Sequence, residues 1–331
     1  MSDTLQILTN SRRNCFNKCK RRYFYEYEKG YRPVKTSDAL RFGSLFHGAL
    51  ELYWLLSLEA GLNWLEEQKE TEYNAYEKEL AKQLLIGYYN KWSNEDDAEE
   101  DCIPELEFRA PLINPDTMKE SRVFLLAGKM DVVRPRKKQI VEHKTTSDDI
   151  SPEAKYWLKL VIDGQVSGYY VGGEASGYEI DECLYDVIRK PGQRPLQATP
   201  VESRKYTKSG SLYASQRETD ETVTEFGLRV AAEIASNPEK YYARKIIPRL
   251  QEDMLEYMDD MWDCAHEIRE AQLKGRWPRN PQACDNYGEC PFFCVCSKTA
   301  SLDDPNLFVK LDNPDQELPS ARPEKEEKEA A

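Results

Sequence analysis

The sequence lacks a long hydrophobic run. Its most apolar stretch, LELYWLLSL, is interrupted by Glu51, and the mean hydropathy of the 331 residues is -0.75. A membrane-spanning helix needs about 20 predominantly apolar residues, so the sequence predicts none. The first residues, MSDTLQILTNSRRN, also lack a charged segment followed by an apolar run, which argues against export. We therefore expect a soluble, cytoplasmic protein that does not contact membranes.

Internal repeats are missing from the sequence as well. Because 40% of the residues are hydrophobic and 11% aromatic, the chain can bury a full core. Residues 1–310 are therefore expected to form a single domain. The polar segment 311–331 is expected to be a disordered acidic tail.

The chain has no surplus of positive charge, since its net charge is -13. This composition at first opposes nucleic-acid binding, because affinity for phosphate comes largely from Lys and Arg. Acidic residues concentrate in 94–102 and after about 312, however, whereas residues 12–41 hold ten cations and three acids. This segment is predicted to bind nucleic-acid phosphates, and the alternative is an ordinary solvated helix face. The expected phosphate contacts are Arg12, Arg13, Lys20 and Arg21.

Two predicted strands carry residues typical of catalysis. The runs 123–133 and 139–144 are β-branched or apolar, and RPRKK separates them. Asp131 lies near the end of the first run. Glu142 and Lys144 share one face of the second run, with His143 on the other face. Carboxylates suit Mg²⁺ or Mn²⁺, and a nearby lysine can orient a water molecule. The alternative is an exposed hairpin with ordinary salt bridges.

Helical spacing brings further candidate residues together. A predicted helix over 10–29, capped by Asn10 or Ser11, places Cys15 and Cys19 on one face with two tyrosines, and a helix over 39–60 carries His47. A helix over 152–175 sets Gln165 and Tyr169 one turn apart. The other predicted elements are helices over 63–92, 219–236 and 250–274, strands over 105–113 and 182–190, and a loop or hairpin insertion over 191–217.

Nine cysteines are many for a chain without an export signal, and four of them lie in CDNYGECPFFCVC. Such clustering in a reducing compartment favours metal binding over disulfides. The paired C-x-x-C knuckles typical of zinc ribbons are missing from this segment. Clustered thiolates of this kind could instead hold an iron–sulfur cluster.

Taken together, these motifs resemble the PD-(D/E)xK nuclease superfamily, specifically its RecB-like branch of iron–sulfur exonucleases found in phages and in CRISPR adaptation. The resemblance covers about residues 10 to 300 and rests on five motifs in the family's order. They are Cys19 in CKRRYFYEY, Gly43 to His47, Asp131 with Glu142-x-Lys144, Gln165-x-x-x-Tyr169, and the C-terminal cysteines. One departure is His143, where the family usually has an apolar or aromatic residue.

The resemblance implies an α/β fold with a restriction-endonuclease-like core, in which helices flank a central mixed sheet. It implies a metal-dependent DNA nuclease, more an exonuclease than an endonuclease, acting on single-stranded or duplex ends. In this interpretation Mg²⁺ or Mn²⁺ is bound by His47, Asp131, Glu142 and the backbone carbonyl of His143. Lys144 would position the attacking hydroxide, and Gln165 and Tyr169 would contact the substrate.

The resemblance also implies a 4Fe-4S cluster, with Zn²⁺ as the alternative. The implied ligands are Cys19, Cys284, Cys290 and Cys296, and Cys15 or Cys294 could replace Cys19 or Cys296. Besides DNA, recombination or repair proteins are possible partners. A competing hypothesis is a non-catalytic DNA-binding or scaffold protein with a structural metal, but the complete set of Asp131, Glu142 and Lys144 argues against it.

Overall fold

The computed structural model describes residues 5–94, 102–285, 288–318 and 320. Its strands are β1 (Gln6–Leu8), β2 (Tyr31–Pro33), β3 (Ile103–Ile113), β4 (Glu120–Arg134), β5 (Gln139–Thr146), β6 (Glu182–Arg189), β7 (Tyr242–Ile246) and β8 (Phe308–Lys310). The main sheet has the order β1-β4-β5-β6-β7, and β3 also pairs with β4. Parallel and antiparallel pairs both occur in it, so the predicted mixed sheet is confirmed.

Helices flank this sheet, as expected for the α/β class. They are α1 (Asn10–Lys18), α2 (Lys20–Tyr23), α3 (Asp38–Leu55), α4 (Leu58–Glu67), α5 (Ala75–Trp92), α6 (Lys155–Leu158), α7 (Gly164–Ala175), α8 (Val223–Ser236), α9 (Gln251–Lys274) and α10 (Phe293–Cys296). Within the described residues, no helix is both long enough and apolar enough to cross a membrane.

The core has three main parts, each built on the sheet. Helices α3, α4, α5 and α8 pack against β6 and β7 through Ile188 and Tyr242. Helices α1 and α9 cover β1 and β4, where Phe16 and Ile268 are fully buried. Helix α7 packs Val166 near Ile140 of β5. These contacts hold α3 and α7 close to β4 and β5, which carry the candidate catalytic residues.

The register of β4 and β5 brings the predicted acids together. The two strands are antiparallel, and Val132 pairs with Val141. Continuing this register by one residue sets Asp131 opposite Glu142. The short connection Pro135–Lys137 closes as a 3-10 turn, and Lys138 adopts the left-handed conformation (φ 50°). The sequence prediction of two adjacent strands is thus confirmed.

Several predicted helices are interrupted, and in three of them a polar side chain caps the helix that follows the break. The prediction of one helix over 10–29 is wrong, because Cys19 is extended (φ -161°, ψ 109°) and Thr9 provides the N-cap. The helix predicted over 39–60 ends at Leu55, and Ser57 caps the next one. Likewise, Asn74 begins a separate helix within the predicted 63–92 helix. The predicted helix 152–175 is divided into α6, a 3-10 turn over Lys159–Ile162, and α7.

The segment after residue 310 is ordered as far as the structure describes it. Asp315 is 4% exposed and Leu318 is 1% exposed. Asp315 accepts two hydrogen bonds from the Arg12 guanidinium, at 2.6 and 2.8 Å. The prediction of a disordered tail from residue 311 is therefore wrong for residues 311–318, since a buried ion pair fixes them to α1. Residues 321–331 and most of the predicted acidic loop, 95–101, lie outside the described residues.

Candidate active site

A cavity of about 130 Å³ lies where β4 and β5 meet helices α3 and α7. Most of the predicted catalytic and metal-binding residues line it: His47, Asp131, Glu142, Lys144, Gln165 and Tyr169. His47 comes from α3, the acids and the lysine from β4 and β5, and the last two residues from α7. Three separate parts of the chain therefore converge on one pocket.

Glu142 is the most enclosed acid in this pocket, with 1% of its surface exposed. The Tyr169 hydroxyl donates a hydrogen bond of 2.6 Å to Glu142 Oε2. Gln165 Nε2 donates to the same hydroxyl at 2.5 Å, because residues four apart lie one above the other on a helix. The Lys144 ammonium pairs with Glu142 Oε1, as the shared strand face predicts. Both oxygens of the Glu142 carboxylate are thereby held in place.

Burial and neighbouring charges shift the pKa values of Glu142 and Lys144 in the pocket. Burial raises the pKa of Glu142, and repulsion by Asp131 raises it further. Burial alone would lower the Lys144 pKa, but attraction by Glu142 and Asp131 outweighs it, so this pKa is raised above its ordinary value. The protonated form of Lys144 is consequently favoured, with Glu142 as its ion-pair partner.

The surroundings of His47 favour its neutral form. Its Nδ1 lies 3.7 Å from Asp131 Oδ2. Burial lowers the pKa of His47 to about 3, and the nearby Lys144 charge adds to this effect. A neutral imidazole keeps a nitrogen lone pair that can bind a metal ion.

His143 points away from the pocket, as the alternation of strand side chains predicts. Its Nδ1 lies 3.2 Å from Asp186 Oδ2, which also accepts hydrogen bonds from Tyr88 (2.5 Å) and Arg244 (3.1 Å). Burial opposes ionisation of Asp186, but Arg244 and His143 lower its pKa to about 2. The His143 backbone N–H donates to Asp131 Oδ2 at 3.0 Å, so this residue orients a pocket acid through its main chain.

Sequence reasoning missed two charged residues of the pocket, Lys129 and Glu317. Lys129 pairs with Glu105 and lies 4.0 Å from Asp131 Oδ1. The two-residue spacing of Lys129 and Asp131 was a usable signal, because such residues share a strand face. Glu317 accepts a hydrogen bond of 2.9 Å from the Thr9 hydroxyl. No local pattern could have placed this tail residue beside β4.

The pocket offers the donors that a divalent cation prefers. In the described part of the chain, no group of three or more His, Cys, Asp or Glu side chains is arranged as a ready metal site. The chemistry of the donors nevertheless fits, because two neighbouring carboxylates repel each other and a neutral imidazole stands beside one of them. A bound Mg²⁺ or Mn²⁺ would offset that repulsion.

A second, larger cavity of about 590 Å³ lies where the two ends of the chain meet. The four predicted cluster cysteines line it: Cys19, Cys284, Cys290 and Cys296. Neither possible substitute belongs to the lining, since the Cys15 thiol contacts Glu26 Oε2 at 3.4 Å and the Cys294 thiol contacts the Pro291 carbonyl at 3.9 Å. All nine cysteines are free thiols. The fold thus gathers one cysteine from the N-terminal region and three from the C-terminal region around one space.

The predicted DNA-binding cations of the N-terminal region each have a partner within the protein. Arg12 is 8% exposed and holds Asp315, so its prediction as a phosphate contact is wrong. Arg13 and Lys20 pair with acids of α9, Asp260 at 2.5 Å and Glu267 at 2.6 Å. Arg21 Nε donates to the Trp277 carbonyl at 2.7 Å. These cations tie α1 and α2 to the rest of the fold.

Comparison with known proteins places this arrangement in a family. A model of the PD-(D/E)XK nuclease superfamily matches residues 8–297. Among solved structures, a candidate exonuclease from Eubacterium rectale is 13% identical, with a TM-score of 0.47 and 90% of each chain covered. A phage-related exonuclease from Haemophilus somnus 129PT is 14% identical, with a TM-score of 0.32, 73% of this chain and 85% of the other covered. No curated protein matches the sequence significantly.

Proposed function

The chain belongs to the PD-(D/E)XK nuclease superfamily, and from this premise we propose that it is a Mg²⁺- or Mn²⁺-dependent deoxyribonuclease that digests DNA from its ends. The observation that carries the proposal is the shared pocket of Asp131, Glu142 and Lys144. Two carboxylates that can bind a cation and a lysine fixed beside them are groups suited to metal-assisted phosphodiester hydrolysis.

Asp131, Glu142, His47 and the His143 backbone carbonyl would hold the metal ion. When bound, a divalent cation supplies an activated water and neutralises charge on the phosphate. The protein's own residues prepare this chemistry. The His143 N–H orients Asp131, and the Tyr169 hydroxyl fixes one oxygen of Glu142.

Lys144 is the residue that acts on the reacting atoms directly. Its ammonium group is anchored by Glu142 and lies on the pocket wall, where it can orient the attacking oxygen and offset charge that develops on the phosphate. Tyr169 acts through Glu142 and is a positioning residue. Gln165 steadies Tyr169 and, as a lining residue, can also contact the substrate.

The cysteine cavity is proposed to hold a 4Fe-4S cluster. Four cysteines around one space match the four ligands of a cubane. Burial raises the pKa of Cys290 and Cys296, whereas the charges of Arg22 and Arg21 lower those same values. Cluster binding requires thiolates, so these arginines favour the liganded state. A cluster at this position would link the two chain ends.

The experiment that tests the nuclease activity compares linear DNA with covalently closed circular DNA. With Mn²⁺, the protein should degrade 5′- or 3′-labelled linear strands and duplexes, and EDTA should stop the reaction. The circular DNA should stay intact if digestion begins at ends. Binding without cleavage of any of these substrates would instead support the non-catalytic DNA-binding hypothesis.

A further inference from the structure

A second basic segment lies between β6 and α8, in residues 189–217. It contains seven Lys and Arg residues and a single acid, Glu202, in a chain whose net charge is -13. The cations are Arg189, Lys190, Arg194, Arg204, Lys205, Lys208 and Arg217. Unlike the N-terminal cations, some of these have no use inside the fold, which makes the segment a candidate for phosphate binding.

The tip of this segment is a short antiparallel hairpin over residues 205–213. Tyr206 forms a bridge with Leu212. Thr207 N–H donates to the Ser211 carbonyl at 2.8 Å, and Tyr213 N–H donates to the Lys205 carbonyl at 3.2 Å. Gly210 takes the positive φ of 82° that the turn requires. Hydrogen bonds on both sides of the bridge therefore define which residues share a face.

The hairpin offers an aromatic ring on each face. Tyr206 is 53% exposed and Tyr213 is 50% exposed. Because residues opposite each other share a face, Tyr206 lies with Leu212 and Tyr213 lies with Lys205 on the other side. Lys208 stands exposed at the tip. An exposed aromatic side chain next to a lysine is the combination that binds single-stranded nucleic acid, by base stacking and by phosphate attraction.

Some cations of the segment bond to other parts of the protein, and others do not. The Arg204 side chain donates to the Thr199 carbonyl at 2.9 Å, and Arg217 pairs with Glu225 at 2.8 Å. These two arginines fix the base of the hairpin. Lys205 and Lys208, in contrast, form no ion pair with any described residue, so their charges face solvent.

The segment leaves the sheet at the C-terminal end of β6, next to the end of β5 that follows Lys144. Arg189, the last residue of β6, pairs with Thr146 of β5, two residues beyond Lys144. The next residue, Lys190, donates its backbone N–H to the Thr146 carbonyl at 2.7 Å. The insertion therefore begins at the paired ends of β5 and β6, two residues along β5 from Lys144.

We infer that the hairpin 205–213 binds the single-stranded DNA segment that flanks the scissile phosphate. Tyr206 and Tyr213 stack on bases, and Lys205 and Lys208 bind phosphates. This inference rests on the proposed nuclease function and assigns to that function its substrate-holding surface.

The test measures binding of fluorescein-labelled dT20 by fluorescence anisotropy in EDTA, over a series of KCl concentrations. The Lys205→Glu/Lys208→Glu variant should bind about tenfold or more weakly, and the slope of log K against log salt should fall by about 1.4, since each phosphate contact on a single strand contributes about 0.7. The Tyr206→Ala/Tyr213→Ala variant should lose about tenfold in affinity for dT20, and clearly less for a blunt duplex without free bases.

The matched control is Lys119→Glu, which reverses an exposed charge in the β3–β4 turn. This turn lies about 40 Å along β4 from Asp131, at about 3.3 Å per strand residue. Because the hairpin is exposed, all variants should keep the wild-type melting temperature. If wild type cleaves labelled DNA with Mn²⁺ but both hairpin variants bind dT20 like the control, the hairpin inference is overturned and the nuclease proposal stands. If wild type neither binds nor cleaves DNA, both are overturned.

Discussion

The active-site pocket and the cysteine cavity differ in how far contacts between their own side chains hold those side chains in place. The pocket measures about 130 Å³, and Glu142, Lys144, Gln165 and Tyr169 already bond to one another across it. The cysteine cavity measures about 590 Å³, and its four thiols come from both ends of the chain. The comparison teaches that the sheet and its hydrogen bonds organise the first site, whereas the second brings together free thiols from both ends of the chain.

Protein contacts nevertheless join the chain ends beside the cysteine cavity. Strand β2 pairs with β8, and the Arg32 guanidinium donates to the Pro314 carbonyl at 2.7 Å. The Arg12–Asp315 pair lies further along the same tail, followed by Glu317 in the active-site pocket. The tail therefore connects the two sites physically, and breaking either site tests how far they depend on each other.

The largest effect is expected at the pocket. Lys144→Ala should lower DNA cleavage by about 10³-fold, because the lysine stabilises charge that develops in the transition state. Asp131→Asn and Glu142→Gln should abolish detectable cleavage by removing metal ligands. Single-turnover assays with Mn²⁺ check this. The control Lys138→Ala removes a half-exposed lysine of the same hairpin, which pairs with Glu179, and should cleave like wild type. Near-wild-type rates for Lys144→Ala would refute the proposed role of Lys144.

The next largest effect is expected at the cysteine cavity. Protein purified without oxygen should absorb broadly near 400 nm, and Cys19→Ser should remove this absorption. The same variant should lower the free energy of unfolding by about 5 kcal/mol, since the proposed cluster would close a very long loop. Cys294→Ser is the matched control, because that thiol lies in the same segment but outside the cavity lining. Cleavage should decline only indirectly. A colourless anaerobic preparation with one stoichiometric zinc would contradict the iron–sulfur proposal.

The Arg12–Asp315 pair should contribute to stability independently of any cluster. Asp315→Ala leaves a buried guanidinium without its partner, so the free energy of unfolding should fall by about 3–5 kcal/mol in urea titrations. Replacing both residues by apolar ones, as in Arg12→Met/Asp315→Leu, should restore part of this loss. An exposed-pair control, Lys138→Ala, should change stability by less than about 1 kcal/mol. An unchanged stability of Asp315→Ala would show that the tail is not fixed by this pair.

The smallest effect is expected for Tyr169→Phe. This variant keeps the ring and removes only the hydroxyl that holds Glu142 Oε2. The loss of one hydrogen bond to a charged group is worth about 1.5–3 kcal/mol, so cleavage should fall by about 10- to 100-fold. If Tyr169 positions a metal ligand, as proposed, a higher Mn²⁺ concentration should rescue part of the activity. A rate that Mn²⁺ does not rescue would instead indicate direct contact with the substrate.

The predictions from sequence succeeded where the determining contacts are local. The runs before Asp131 and through Glu142 identify two strands, and the two-residue spacing assigns Lys144 to the pocket and His143 to the opposite face. The four-residue spacing of Gln165 and Tyr169 likewise survives, because both lie within one helix.

The predictions failed where contacts with residues far away in the sequence determine the structure. A run of cations does not reveal whether acids elsewhere will neutralise it, and α9 supplies such acids to Arg13 and Lys20. The polar composition of the tail gives no sign that Arg12 will bury Asp315. The break at Cys19 also lacks a Pro or Gly signal, although it turns this cysteine into the cavity lining.

The central claim, that the pocket of Asp131 and Glu142 binds a divalent cation, is tested most directly by calorimetric titration with Mn²⁺. Wild-type protein should bind Mn²⁺ reversibly, Glu142→Gln should lose this binding while keeping its fold, and Glu153→Gln, which changes an exposed acid, should bind like wild type. Equal Mn²⁺ binding by wild type and Glu142→Gln, or none by wild type, would contradict the account.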